Sequence, residues 1–229
     1  MSDVTATEVP ARDVIPGVPY PVSHLELAAM LCSRLCHDVI SPVGAIVNGI
    51  EVLEDKDAAD MREVALDLIA KSARQASARL QFTRLAFGAA GSVGAQLDLG
   101  DAEQVVCGMI EDDRTKIEWK LPREFQPKNQ VKLLLNLTLL SSSTIPRGGV
   151  IRVEPRAEGD LSGFVLVATG TSARIPQNVE ALLAGQVPES GLDAHVIQPF
   201  YAGMLARECN MVISFAHEGD TVRLMANPA

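Results

Sequence analysis

The chain has 229 residues, enough for one large or two small domains. Its composition, 47% hydrophobic and 21% charged, is typical of a globular protein and excludes collagen-like, wholly disordered and disulfide-framework chains. The net charge of −9 argues against nucleic-acid binding. The first residues lack the basic start and apolar stretch of a signal peptide, and no run of 18 apolar residues follows. We therefore expect a cytoplasmic protein that binds neither nucleic acid nor membrane.

The four cysteines fit a reducing compartment. Cys32 and Cys36 are spaced C-x₃-C in a helical pattern, whereas Cys107 and Cys209 stand alone. We interpret all four as small buried apolar residues. A metal site built on Cys32, Cys36 and His37 is the alternative, but no further ligands lie nearby in the sequence.

The first 88 residues predict a flexible tail followed by two long helices. Residues 1–21 contain four of the thirteen prolines. From Ser23 to Leu53, apolar residues recur every three or four positions, and Pro42 falls inside this pattern, where it should kink the helix. A second pattern runs from Met61 and stops at Gly88. Residues 22–88 therefore predict an antiparallel helical hairpin.

The apolar faces of this hairpin are too wide for one hairpin to cover. Two hairpins from two chains would form a four-helix bundle, so a homodimer is the simplest prediction. The alternative is that the C-terminal half covers these faces within one chain. That half, residues 95–229, predicts mixed helix and strand in an α+β protein. Its predicted helices cover 105–110, 131–140 and 199–209; its predicted strands cover 116–121, 150–153, 164–167, 212–215 and 222–225.

One histidine of the four has an informative setting. On a helical wheel of about 100° per residue, His37 points away from the apolar stripe. An exposed imidazole is a good nucleophile near neutral pH, and the carboxylate of Asp38 beside it can orient a ring N–H. A solvated surface histidine is the alternative. Polar or small residues lie within about 60° of His37 on this wheel: Arg34, Ser41, Gly44 and Asn48.

Two sequence motifs carry a family resemblance. The segment HDVISP at 37–42 resembles the H-box of sensor histidine kinases, in which an acid follows the phosphorylated histidine and a proline lies five residues on. The wider segment LCSRLCHDVISPVGAI at 31–46 resembles the ChpT family of bacterial histidine phosphotransferases. That resemblance extends to IQPFYAG at 197–203 and covers most of residues 23–227.

The resemblance implies a dimeric hairpin bundle with a degenerate, kinase-like ATP-binding domain. Members of this family relay phosphoryl groups in bacterial cell-cycle signalling, from the receiver domain of a hybrid kinase (CckA) to response regulators (CtrA and CpdR). His37 would carry the phosphoryl group, and Asp38 matches the acidic neighbour. Ser41 occupies the place where kinases often have Thr or Asn, and a dephosphorylating role with Ser41 positioning a water stays open.

The segments of this sequence that resemble the ATP-binding elements of histidine kinases lack several of the residues that those elements require. In the helix at 132–141, Asn136 matches the leading Asn of the kinase pattern, but Leu140 stands where a metal-binding Asn belongs. In the loop at 167–172, Ala168 replaces the Asp and Ser172 the second Gly of D-x-G-x-G, and no glycine-rich lid follows. We expect that the fold survives and nucleotide binding does not. The chain would need no cofactor of its own, because a partner receiver would supply Mg²⁺.

The surface that would dock a receiver domain lies along the hairpin beside His37. Arginines there could attract an acidic receiver or the phosphoryl group. An active sensor-type kinase and a non-catalytic dimeric scaffold are the rival functions. The predicted partner-binding residues are Arg34, Gly44, Ala45, Asn48, Val52, Ser72, Arg74, Gln75 and Ala78, and Arg79 is a further cation on this surface.

Overall fold

A computed structural model describes residues 7–8, 22–88, 94–157, 159–189 and 191–229. Of the predicted tail at 1–21, only the backbone of strand β1 (Thr7–Glu8) belongs to the described part, and it pairs with the edge of a sheet. The other tail residues, and residues 89–93 between the two predicted domains, lie outside the described residues.

The predicted hairpin is present as two long helices, α1 (His24–Glu54) and α2 (Arg62–Ala86). A 3₁₀ turn at Lys56–Met61 joins them. Ser23 and Glu26 form a capping box at the start of α1, each accepting a hydrogen bond from the other's backbone N–H. Hydrogen bonding to Ser23 lowers the pKa of the Glu26 carboxyl.

Small residues let the two helices approach closely. An added Cβ at Gly49 on α1 would lie 2.6 Å from Cγ1 of Ile69 and 3.3 Å from the carbonyl oxygen of Ala65, both on α2. Ser72 and Ala76 are buried on the same face of α2 as Ala65. The face of α2 that meets α1 is therefore built from small side chains.

The C-terminal half contributes five strands to a six-stranded sheet, and β1 of the tail adds the sixth; the strand order is β1-β7-β8-β6-β5-β3. Its strands β5 and β3 run parallel and all other neighbours are antiparallel. A separate two-stranded ribbon pairs β2 with β4. The sheet strands are β3 (Thr115–Trp119), β5 (Gly149–Ala157), β6 (Asp160–Thr169), β7 (Met211–Glu218) and β8 (Thr221–Pro228); the ribbon strands are β2 (Gln96–Asp98) and β4 (Phe125–Pro127).

Four helices accompany the strands, and three of them, α3, α4 and α6, form the layer against the sheet. In the central parts of β5, β6 and β8 alternate residues are buried. The register aligns these rows, since Val153 lies opposite Leu166, which lies opposite Leu224. One face of the sheet therefore packs on the helices. The helices are α3 (Leu99–Ile110), α4 (Lys128–Thr144), α5 (Val179–Leu183) and α6 (Ile197–Glu208).

The hairpin and the sheet domain share a hydrophobic core. Phe82 and Ala86, at the end of α2, are fully buried in the cluster that fills the sheet domain. A second cluster joins Ile197 and Phe200 of α6 to Leu27 and Leu31 of α1. These two clusters lie at the start of α1 and the end of α2. The turn of the hairpin, at the other end of the two helices, extends beyond the sheet domain.

The prediction that all four cysteines are buried is wrong. Cys32 and Cys36 are exposed on α1, since both lie on sides of that helix turned away from α2. Cys107 and Cys209 are half-buried, and burial raises the pKa of both thiols to about 11.

By length and composition alone, α1 is apolar enough to cross a membrane, with a mean hydropathy of 1.3 over its best 18-residue stretch. In the hairpin, however, α1 packs along α2 and carries the charged side chains of Arg34 and Asp38. Its hydropathy instead reflects an exposed apolar row. Ile40, Val43, Val47 and Ile50 lie within about 80° of one another on α1 and are all exposed.

Candidate functional site

His37 lies on α1 with its side chain 63% exposed. Its Nδ1 atom is 3.5 Å from Oδ1 of Asp38, at the outer limit of a hydrogen bond. The carboxylate therefore favours the tautomer that keeps a proton on Nδ1, and this tautomer has its lone pair on Nε2. The arrangement leaves Nε2 as the nucleophilic atom of the ring.

The carboxylate of Asp38 is itself held in place. Arg34, one helical turn earlier, donates from Nε to Oδ2 of Asp38 over 2.9 Å. Both side chains are mostly shielded from solvent. Nη1 of the same guanidinium lies 3.4 Å from the main-chain oxygen of His195, in the loop before α6. Arg34, predicted as a partner-binding residue, thus connects the neighbour of His37 to the C-terminal domain.

A second histidine, which the sequence analysis did not single out, lies against His37. The ring centroids of His37 and His195 are 5.2 Å apart, and the ring planes meet at 79°. The two residues are far apart along the chain, and no spacing or periodicity relates them. The signal that could have found His195 is its place just before the IQPFYAG motif, because that motif packs on the same end of α1.

Arg79 of α2 also reaches the turn that contains His37. Its Nη1 donates to the main-chain oxygen of Asp38. This guanidinium is therefore engaged within the hairpin and not directed at a partner. Ser41, one turn after His37 on α1, is exposed, as is Asn48 two turns further on.

The predicted docking residues divide into accessible and inaccessible ones. Gly44 is half-buried, with open space where a Cβ would be, and Ala45 and Val52 are half-buried beside it on α1. Arg74 and Gln75 are exposed on α2.

Two of the predicted docking residues do not lie on a free surface. Ser72 is buried between the helices because it falls on the face of α2 that meets α1. Ala78 faces α3, with its Cβ 3.5 Å from the position of a Cβ at Gly108.

Asn136, which matches the leading Asn of the kinase pattern, lies between the end of α2 and α6. Asn136 of α4 is fully buried, and its side-chain amide donates to the main-chain oxygens of Lys132 and Ala86. Gln198 of α6 donates to the main-chain oxygen of Asn136 over 2.8 Å and to its Oδ1 over 3.2 Å. The polar atoms of Asn136 are therefore bound to protein groups.

The IQPFYAG motif has a structural role in this arrangement. All its residues except Tyr201 are buried. A Cβ at Gly203 would lie 2.1 Å from the carbonyl oxygen of Leu183, so glycine permits α6 to lie directly against α5. The motif closes the space between α4 and α5.

The loop that resembles D-x-G-x-G also serves packing. Ala168 is buried in β6 between Ile151 and Val222 of the neighbouring strands. The amides of Gly170 and Ser172 bond to Asp220 in the β7–β8 turn, through its main-chain oxygen and its carboxylate. This loop is thus bound to the β7–β8 turn at one end of the sheet.

No group of three or more His, Cys, Asp or Glu side chains in the described part of the chain is arranged to hold a metal ion. Cys32, Cys36 and His37 therefore do not form such a group, and the alternative of a metal site there has no support in the geometry. Among the contacts described above, the charged side chains at this site are those of Asp38, Arg34 and Arg79.

Comparison with known proteins gives concordant matches. Residues 99–221 match the family model for the histidine phosphotransferase C-terminal domain. The protein phosphotransferase ChpT of Brucella abortus (strain 2308) is 47% identical over 198 residues, which cover 86% of this chain and 93% of that protein.

Solved structures agree with the sequence matches. A bacterial phosphotransferase, 43% identical, superposes with a TM-score of 0.81 over 92% of this chain and 100% of its own. Similarity to a kinase is distant: the Acinetobacter baumannii histidine kinase AdeS is 9% identical, with a TM-score of 0.40 over 83% of this chain and 95% of its own.

Proposed function

This chain belongs to the ChpT family of histidine phosphotransferases, which act in phosphorelays, and from that premise we propose that His37 is the residue that carries the phosphoryl group. The observation that carries the proposal is the exposed imidazole whose Nδ1 faces the Asp38 carboxylate and whose Nε2 is left as the nucleophile. The small and polar residues on the same face of α1 leave room for another protein to approach.

The proposed reaction is reversible transfer from a receiver's phospho-aspartate, an acyl phosphate. Nε2 of neutral His37 attacks phosphorus in line, an N–P bond forms, and the P–O bond to the aspartyl carboxylate breaks. The released carboxylate stays on the receiver. Nδ1 keeps its proton, and the positive charge that develops on the ring lies beside Asp38. Transfer onto a second receiver reverses these steps.

The chain's part in this reaction is to orient the nucleophile and to dock the partner. Charge on the transferred phosphoryl group is neutralised by Mg²⁺ held in the receiver. We infer no ATP-dependent step, because Leu140 and Ala168 stand where the kinase pattern has its metal-binding Asn and its Asp, and Asn136 is bound by Gln198.

The receiver docks, in this proposal, on the hairpin between His37 and the turn. Gly44, Ala45, Asn48 and Val52 lie on α1 there, and we include the exposed Arg74 and Gln75 of α2 in the same docking surface. The partners that the family suggests are the receiver of a CckA-like hybrid kinase and the CtrA-like and CpdR-like response regulators. We place this relay in the cytoplasm, where receivers of this kind act.

We further propose that two copies of the chain form a four-helix bundle. The row of Ile40, Val43, Val47 and Ile50 on α1 is left exposed. Leu66, Ala73 and Leu80 form a second exposed row on α2, within about 40° of one another. The sheet domain packs on other faces, through Arg34 and Ala78, so it does not cover either row. A second hairpin would bury both rows.

The experiment that tests the function uses a receiver domain carrying labelled phospho-aspartate. Label that reaches the protein, is lost in acid and is absent from the His37→Ala variant supports the proposal. His217→Ala is the matched control, because His217 is an exposed histidine on β7 whose ring forms a hydrogen bond with the main-chain oxygen of Gly219 in its own turn. Label acquired from ATP alone would indicate a kinase. Receiver binding without transfer would leave a scaffold.

A further inference from the structure

His195 is brought to the reactive histidine by the C-terminal domain. It lies in the loop before α6, whereas His37 lies on α1, and their rings meet edge to face at 5.2 Å and 79°. Both side chains are exposed, so burial does not force this contact. Edge-to-face geometry is the arrangement that aromatic quadrupoles prefer, and it restricts the rotation of each ring.

The backbone of His195 is fixed from two directions. Oδ1 of Asp193 accepts hydrogen bonds from the amides of His195, over 2.7 Å, and of Val196, over 3.1 Å. From the other side, Arg34 contacts the main-chain oxygen of His195. The residues that follow, Ile197 and Phe200, are anchored in the cluster on α1. His195 is therefore held by the protein's own framework at the edge of the site.

We propose that His195 is a positioning residue for phosphotransfer, which holds the imidazole of His37 with Nε2 directed toward the incoming phosphoryl group. The contact with Asp38 is long and cannot fix the ring by itself. The ring of His195 supplies a second point of contact, so the nucleophile loses less rotational freedom when the receiver docks. This inference rests on the proposed phosphotransfer at His37 and gives the C-terminal domain a part in that reaction.

The test compares His195→Ala, which removes the ring, with His195→Phe, which keeps an aromatic edge and face but no titratable nitrogen. We expect the alanine substitution to lower kcat for transfer from a phosphorylated receiver about three- to tenfold, the range that one aromatic pair supports, with KM unchanged. The phenylalanine substitution should restore kcat to within about twofold. His217→Ala, the remote control, should leave both constants unaltered.

A spectroscopic measurement separates positioning from general structural damage. In the unphosphorylated protein, loss of the neighbouring ring current in His195→Ala should shift the NMR signals of the His37 ring, while thermal melting and receiver affinity stay as in wild type. This measurement needs no phosphotransfer. A wild-type protein that takes no label would therefore refute the proposed function while the ring contact is still tested.

Two results would overturn the inference. One is wild-type kcat in His195→Ala with an unshifted His37 spectrum, which would show that the rings do not interact in solution. The other is a phenylalanine variant as slow as the alanine variant, which would show that a nitrogen of His195, and not its ring, is needed.

Discussion

The guanidinium of Arg79 on α2 donates a hydrogen bond to the main-chain oxygen of Asp38 on α1. In an uninterrupted helix this oxygen accepts from the amide four residues later, but that residue is Pro42, which has no N–H. Pro42 is buried, and a carbonyl left unpaired in such surroundings is costly. Arg79 thus replaces the missing donor and ties α2 to the turn that presents His37.

A double-mutant cycle tests this replacement. We expect Arg79→Ala to destabilise the protein by about 1–3 kcal/mol, because it leaves the Asp38 carbonyl unpaired. In a Pro42→Ala background the cost should fall by about 1 kcal/mol or more, since the alanine's own N–H can serve that carbonyl. Urea unfolding of wild type, both single variants and the double variant measures the coupling. Equal cost of Arg79→Ala in both backgrounds would contradict the interpretation.

Substitution of Arg34 should affect the rate of phosphotransfer more than the stability of the protein. Arg34→Gln removes the partner of Asp38 and the contact with the oxygen of His195, so the orientation of the His37 ring should loosen. We expect the free energy of unfolding to fall by about 1 kcal/mol, because the pair is a single (i, i+4) ion pair on one helix and is not fully shielded from solvent. Phosphotransfer should slow by about tenfold.

The control for Arg34→Gln is Arg84→Gln, the same change at an exposed arginine in the last turn of α2. It should leave both unfolding and transfer at wild-type values. A normal transfer rate in Arg34→Gln would show that the Asp38 carboxylate needs no support from Arg34.

The sequence predicts the larger elements well because each of them repeats its apolar pattern over many residues. The helical hairpin and the mixed helix and strand of the C-terminal half are confirmed, and the strands predicted at 212–215 and 222–225 lie within β7 and β8. The ribbon of β2 and β4 and the five-residue α5 were not predicted, since elements of three to five residues carry too little periodicity.

The site likewise has local features, which the sequence predicts, and features made by long-range contacts, which it does not. The placement of His37 on a polar face beside Asp38 follows from helical geometry alone, and its phosphorylation stays a prediction. The His195 contact, the role of Arg79 and the bond from Gln198 to Asn136 depend on tertiary contacts. A helical wheel also cannot tell which helix covers a face, which is why Ser72 and Ala78 were placed on the docking surface.

The exposed row on α1 makes the proposed dimer testable. Val47→Glu would place a charge in the middle of the four-helix bundle, so we expect it to convert a dimer to a monomer in light scattering after size-exclusion chromatography. Val64→Glu makes the same chemical change at a 59% exposed valine on α2, roughly opposite the Leu66–Leu80 row, and should remain dimeric. Monomeric wild-type protein at micromolar concentration would refute the bundle.

The packing of α6 on α4 predicts that different substitutions of Gln198 lower the free energy of unfolding by different amounts. Gln198→Met keeps most of the volume but removes the donor to Asn136, and should cost about 1–3 kcal/mol of unfolding free energy. Gln198→Glu should cost more, because a carboxylate would face the two oxygens of Asn136. ATP should raise the melting temperature of none of these proteins, and a rise for wild type would show that the region opens to nucleotide.

The loop that holds His195 should respond to acid through Asp193. Hydrogen bonds from the amides of His195 and Val196 lower the pKa of the Asp193 carboxyl. The folded protein therefore favours the ionised form. The loop's anchoring is complete above the pKa of an unfolded Asp, about 3.9, and is lost as pH falls through the lower folded value.

NMR titration of those two amide signals measures this effect. We expect both signals to move together with a midpoint below that of an ordinary aspartate. Asp193→Asn, whose side-chain oxygen still accepts but does not titrate, should keep the loop in place and remove this transition. A midpoint at the ordinary value would mean that the amides do not bind the carboxylate in solution, and the backbone of His195 would then be anchored by Arg34 and α6 alone.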